Sequence, residues 1–257
     1  MAEYVDVERA RAMTGLRLVL TPGVPGPWSE AAKSILHVKK LPCVKVRQEL
    51  GGANRELFDW TAQASAPVMV WNDERPRSIW NDQLYLAERL QPNPRLVPAK
   101  IEDRAPMLGY ANEICGENGF GWSKRLTIIH QSSNSSNESG RQLASYLAGK
   151  YGYDKAEAEA APARIAGILN ALSARLEQQR KRGSRFFIGD ALSALDIYWA
   201  TFAALIDPLP DELCPMSPAF RHVYTNTDPT IKSATAPILL EHRDFIYHNF
   251  LELPLDF

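Results

Sequence analysis

The sequence predicts a small α/β domain followed by an all-helical one, and three observations predict it. Up to Leu90, short β-like runs alternate with apolar residues at helical spacing. Pro92, Pro94 and Pro98 then punctuate the chain. From about Lys100 onward the strand signal disappears. The expected divisions are a polar N-terminal tail at 1–13, an α/β domain at 14–91, a linker at 92–100 and a helical domain at 101–257.

In the first domain, Leu16–Thr21 (LRLVLT) reads as a strand. Trp28–Lys40 carries apolar residues at helical spacing, and Pro42 ends it. Cys43–Val46 alternates as a second strand, and Asn54–Thr61 reads as a short helix after the Gly51-Gly52 break. Pro67–Trp71 is a third strand, Arg77–Trp80 a fourth, and Asp82–Leu90 returns to helical spacing. The second domain reads as helices over Ile101–Gly116 and Trp122–His130, joined or interrupted near Gly119. A polar loop at Gln131–Gly140 follows, then helices at Arg141–Tyr151, Glu157–Arg182, Ala191–Ile206, Pro218–Tyr224 and Ile231–Phe250. Ala191–Ile206 is nearly all apolar, which marks a buried central helix. The apolar tail Leu251–Phe257 is expected to fold back on the body, over the cleft between the domains.

Composition bounds the function. With 45% apolar and 23% charged residues, the 257-residue chain is an ordinary soluble globular protein. A formal net charge of −1 argues against a nucleic-acid or acidic-membrane binder. Cys43, Cys115 and Cys214 are widely spaced and odd in number, which fits a reducing, cytoplasmic setting better than a disulfide framework or zinc site. The polar N-terminus and the absence of a long apolar run give no reason to expect a leader or a membrane span. His242 and His248, six residues apart, do not share a helix face, so no metal site is expected. No Ser-His-Asp order, P-loop or dinucleotide fingerprint appears.

Gly26-Pro27-Trp28-Ser29 carries the chemistry. Strand, tight loop and a Pro-initiated helix leave unpaired amides that stabilise an anion by ~0.3–2 kcal/mol. Where a nucleophilic side chain would precede the proline, there is Gly26.

Three further motifs give the chain a family resemblance. Phe186–Asp196 (FFIGDALSALD) carries a Ser193/Asp196 capping box at the start of the buried helix. Ala66-Pro67 precedes the strand PVMVW, with Pro67 either cis or a trans proline opening a strand. Asp82-Gln83 precedes Leu86 and Leu90. Together with the domain order, these resemble the glutathione transferase superfamily over about Leu16–Leu253. The resemblance implies an α/β thioredoxin-like N-terminal domain and an all-α C-terminal helical bundle. It also implies a homodimer and glutathione as co-substrate, with no metal.

The resemblance implies that Pro27, Trp28, Ser29, Ala66, Pro67, Asp82 and Gln83 bind glutathione. Asp82 would take the γ-glutamyl ammonium, and Gln83 stands where the family has serine; helix capping by Asn81 or Asp82 is the structural alternative. Gly26 excludes a mixed disulfide at that position, so glutathione itself would supply the sulfur. Ser29 and Thr21 are the candidate catalytic hydroxyls, unless Ser29 only caps its helix; Trp28 reads as core packing. Tyr110, Cys115, Trp122 and Arg125 would line the pocket of a second substrate, or serve as ordinary core and surface residues. The expected activity is conjugation of glutathione to, or glutathione-driven cleavage of, an electrophilic, aromatic small molecule. A non-catalytic binding protein of the same fold is the alternative, and it draws on Gly26 and Gln83.

Overall fold

The computed structural model describes residues 3–134 and 138–257. Strands β1 (Tyr4–Val5), β2 (Leu16–Leu20), β3 (Val44–Arg47) and β4 (Val68–Trp71) form one sheet in the order β1-β3-β2-β4. β1 and β2 run parallel to β3, and β4 runs antiparallel to β2, with Leu16 opposite Trp71. All five residues of β2 are buried, as a central strand covered on both faces requires. That includes Arg17, whose guanidinium donates to the carbonyls of Met13 and Asn72. Helices α1 (Val7–Arg11), α2 (Pro27–Val38), α3 (Arg55–Thr61) and α4 (Trp80–Leu90) complete this part.

Two readings of this half are corrected. The segment expected to be a tail contributes β1 and α1; Tyr4 and Val5 pair with Lys45 and Val46, and Asp6 caps α1 by accepting from the Arg9 amide (2.7 Å). Two-residue strands and five-residue helices are too short to show a period. The expected strand Arg77–Trp80 reduces to one bridge, Arg77 against Met69, because the chain turns into α4 at Trp80. Trp80 packs edge-on against Tyr198 (5.3 Å), so its burial is served by the helix and not by the sheet.

The remainder is helical: α5 (Ile101–Cys115), α6 (Phe120–Ser133), α7 (Glu138–Tyr151), α8 (Lys155–Lys181), α9 (Ala194–Phe202), α10 (Pro218–Tyr224), α11 (Pro229–Ala234) and α12 (Pro237–Phe250). The expected loop at Gln131–Gly140 is shorter than read, since α6 continues to Ser133 and α7 begins at Glu138; 135–137 lie outside the described residues. The expected helix Ile231–Phe250 is two helices, because Pro237 has no N–H with which to continue the ladder. Every residue of α9 is buried. Its capping box is present: the Asp196 carboxylate accepts from the Ser193 amide (2.8 Å) and hydroxyl (2.7 Å), and also from the Phe187 amide (2.9 Å).

The tail Leu251–Phe257 folds back, though not over the cleft. Lys33 of α2 donates to the Asp256 carbonyl, Lys45 of β3 pairs with the Asp256 carboxylate (3.2 Å), and Phe257 lies under Lys33 (5.5 Å). The Pro-rich stretch after α4 is also anchored. Buried Lys39, just past α2, donates to the Gln91 (2.9 Å) and Pro94 (2.7 Å) carbonyls and pairs with Glu88, which accepts from the Leu96 amide (2.8 Å).

The sheet and the helical part meet at Trp28. Its indole N–H donates to the Cys115 carbonyl at the end of α5 (2.9 Å), and its ring packs edge-on against Phe202 of α9 (4.8 Å). Gly121 makes this approach possible: a Cβ there would lie 2.5 Å from Phe202 Cε1 and 2.9 Å from Trp28 Cη2. Gly121→Ala is therefore expected to destabilise the fold by about 1–3 kcal/mol through overpacking. The measure is a lowered urea midpoint with unchanged slope; an unchanged midpoint would show that α6 slides away at no cost.

Candidate functional site

β2 delivers the chain to the loop Thr21–Pro25, and Gly26 stands as the N-cap of α2 with φ −69° and ψ 123°. Pro27 has no N–H, and the first helical hydrogen bond runs from Glu30 N to Gly26 O (2.9 Å). The amides of Trp28 and Ser29 thus precede the ladder and carry no helical bond. Ser29 is the third helical residue and not the cap, which sets aside the self-capping reading. Its hydroxyl makes no hydrogen bond among the described residues, and it lines a cavity of about 600 Å³.

Thr21 lines the same cavity, but its proton is committed. Thr21 Oγ1 donates to Gln48 Oε1, and Gln48 Nε2 donates onward to the Glu49 carbonyl (2.6 Å). A hydroxyl that stabilises a thiolate must donate, so of the two candidate hydroxyls only Ser29 has a donor in hand. Gln48 was not among the sequence-derived candidates. A polar residue directly after the strand Val44–Arg47 was the available signal.

The Ala66-Pro67 peptide is cis, and Ser65 and Ala66 face the cavity. Asp82 and Gln83 do not line it. Gln83 is buried; its amide donates to the Pro67 and Arg77 carbonyls (both 3.1 Å), which joins the start of β4 to the start of α4. The longer glutamine side chain reaches backbone that a serine hydroxyl would not. Asp82 pairs with Arg75 (3.2 Å). Neither Asn81 nor Asp82 caps α4, whose N-cap is Ile79.

The opposite part of the cavity comes from α6, α7 and α10. The Arg125 guanidinium lies 4.0 Å from the Tyr151 ring centroid, 4.4 Å from Trp28 and 5.4 Å from Trp122. Tyr224 donates to the Pro25 carbonyl (3.2 Å), which holds α10 against the loop before Gly26. Of the four residues expected around a second substrate, only Arg125 lines the cavity. Trp122 stands behind it, 6.0 Å from Tyr151. Tyr110 packs on the core from α5. Cys115 is buried, and burial pushes its thiol well above the ordinary value, so its carbonyl rather than its sulfur takes part. Burial raises Cys43 also, and Cys214 to about 11.

No group of three or more His, Cys, Asp or Glu among the described residues is arranged to hold a metal ion. No helix among them is long and apolar enough to cross a membrane.

No family model matches this chain, and no curated protein matches it by sequence. Solved structures do. A glutathione S-transferase from Methylobacterium radiotolerans, in complex with glutathione sulfonate, superposes with a TM-score of 0.62 at 15% identity, covering 92% of each chain. A glutathione S-transferase from Methylobacillus flagellatus with glutathione bound gives 0.61 at 12% identity, over 91% of this chain and 95% of that one. The chain has the glutathione transferase fold.

A third structure of this fold is the beta-etherase of Sphingobium sp., with a TM-score of 0.55 at 16% identity over 86% and 98% of the two chains. On the glutathione transferase fold of this chain, Gly26 is not demanded by the backbone: its φ is negative, and the nearest atom to an added Cβ would be Ser29 Oγ at 3.8 Å. Gly26→Cys is therefore expected to fold normally and to place a thiol before the α2 amides. Its pKa should fall from about 8.5 to about 7.5 or below. The pH dependence of iodoacetamide alkylation measures this against the native cysteines, of which Cys115 and Cys214 are buried and all three are raised by burial, so that they should react slowly near neutral pH. An apparent pKa near 8.5 would mean that those amides do not point at the position.

Proposed function

We propose that this chain is an enzyme that holds glutathione with its thiolate at the N-terminus of α2 and joins glutathione through that sulfur to an electrophilic, aromatic small molecule, or uses it to cleave one. The observation that carries this reading is the cavity of about 600 Å³ into which Ser29 faces beside two amides without helical partners. A thiolate there gains from the helix N-terminus and from a hydroxyl that has no competing acceptor. Chemistry that needs a protein thiol is closed off at Gly26, whereas conjugation needs only that the ligand's own sulfur be ionised and oriented. The aromatic and aliphatic walls desolvate an apolar acceptor next to it.

The resemblance extends the reading to a thioredoxin-like domain that takes in β1 and α1 and runs to 91, a helical domain at 101–257 and a homodimer. Exposed Phe58, Ile79, Tyr85 and Ile101 support the last by offering apolar surface on and beside α3, α4 and α5. The commitment of the Gln83 amide favours a second reading, a binding protein without catalysis. It removes one expected grip on the γ-glutamyl end.

Calorimetric titration with glutathione separates the two, followed by turnover of 1-chloro-2,4-dinitrobenzene. Binding in the micromolar to low-millimolar range with measurable conjugation is expected. Ser29→Ala should lower kcat/KM by about ten- to one hundredfold, the worth of a hydrogen bond to a charged group. Thr21→Ala, which acts only through Gln48, should cost less. No binding at millimolar glutathione would overturn the transferase reading. Unchanged turnover in Ser29→Ala would leave the amides of Trp28 and Ser29 as the activating groups.

A further inference from the structure

The cavity has a feature that the thiolate site at the α2 N-terminus does not use. Its lining contains Arg125 and Lys150, with His222 beside them, and neither aspartate nor glutamate among the described residues. Arg125 is the informative one. Its guanidinium rests among three aromatic faces and makes no hydrogen bond or ion pair among the described residues. Ring faces attract a cation by ~0.5–2 kcal/mol each, but they accept none of its five N–H donors in the ordinary way. Burying a cation without a carboxylate is costly, and elsewhere in this chain guanidinium groups near the interior are supplied with acceptors. Arg17 has two carbonyls, and Arg243 has Asp207 (3.0 Å) and Asp244 (2.8 Å). Arg125 has the space of the cavity in front of it instead.

The surroundings also hold the group in shape. Trp28 is fixed by its bond to the Cys115 carbonyl, and Trp122 and Tyr151 meet edge-on behind the guanidinium. An arginine whose plane is held by rings has lost much of its rotamer freedom before any ligand arrives. A guanidinium presented this way matches a planar, two-oxygen anion through parallel N–H···O bonds. Lys150, 5.5 Å from the Tyr151 ring and without an ion pair among the described residues, adds a second positive charge to the same region.

We propose that Arg125 is a specificity-determining residue, and that the acceptor of this site is an aromatic electrophile bearing a carboxylate, which Arg125 clamps while the apolar walls take the ring. This rests on the proposed glutathione chemistry for the reaction, but not for the binding. The bond that forms joins the glutathione sulfur to the electrophilic carbon; the bond that breaks releases the leaving group with its electron pair, and the acceptor carboxylate takes no part in either.

The test compares two near-isosteric acceptors, 4-chloro-3-nitrobenzoate and 4-chloro-3-nitrobenzamide, with the whole protein and glutathione. The carboxylate should be preferred by about ten- to one hundredfold in kcat/KM, mostly through KM, as expected for a charge-assisted pair. Arg125→Met should bring the ratio to within about twofold of one, and Arg125→Lys should keep part of it. Equal use of both acceptors by the wild type, or a preference that survives Arg125→Met, would overturn the proposal. So would a loss of thiolate absorbance of bound glutathione in Arg125→Met with the ratio unchanged, since Arg125 would then serve the sulfur. Tryptophan quenching by 4-nitrobenzoate against 4-nitrobenzamide, without glutathione, separates this idea from the proposed reaction. Tighter binding of the benzoate by about tenfold supports the carboxylate site even if no conjugation occurs, and equal binding sinks it even if conjugation does. The wild-type comparisons need no variant to fold.

Discussion

Everything about the site depends on where Trp28 can go. It is the second residue of α2, so the helix end that holds the amides is only as well placed as this ring. The ring is gripped on three sides, by a carbonyl at the end of α5, by Phe202 from the central buried helix and by the guanidinium of Arg125. Gly121 supplies the room, and no larger residue leaves it. A single indole thereby couples the sheet, through α2, to the packing of the helical half. Interiors packed at crystal-like density leave few voids, so a change of volume at this ring is felt in both halves.

The polar groups around the cavity divide into committed and uncommitted ones, and the division carries the chemistry. Thr21 is spent on Gln48 and the Gln48 amide on the Glu49 carbonyl, Gln83 is spent on two carbonyls, and Tyr224 is spent on Pro25. These bonds shape the walls. Ser29, the two amides ahead of the α2 ladder and Arg125 are left facing the space. A native interior normally leaves few such groups, so those that remain at a cavity mark where a ligand's own donors and acceptors complete the set.

Much of the fold was legible in the sequence because long periods survive context. The apolar run that became α9, the Pro27 start of α2 and the Ser193/Asp196 cap each rest on strong local chemistry. Arg77–Trp80 misled because Trp80 satisfies any apolar pattern and its partner, Tyr198, lies far away in sequence. The short β1 and α1 gave no period to read. At the site, the α2 N-terminus and Arg125 were visible as residues, but their partners were not. That Gln83 would reach Pro67 and Arg77, or that Thr21 would spend its proton on Gln48, depends on side-chain reach across strands, which spacing does not encode. The family resemblance placed Cys115 near the cleft, yet it enters the junction through its backbone.

Gly26 occupies ordinary extended backbone, with open space where a side chain would stand. Glycines are usually kept by conformation or by crowding, and neither holds here. What the position lacks is therefore a matter of chemistry alone, and history can reverse it cheaply. Half of the glycine codons lie one base from cysteine and from serine. A population carrying this fold thus sits next to thiol-exchange and hydroxyl-assisted variants that need no repacking, and selection between those chemistries can act at one site while the rest of the molecule stays as it is.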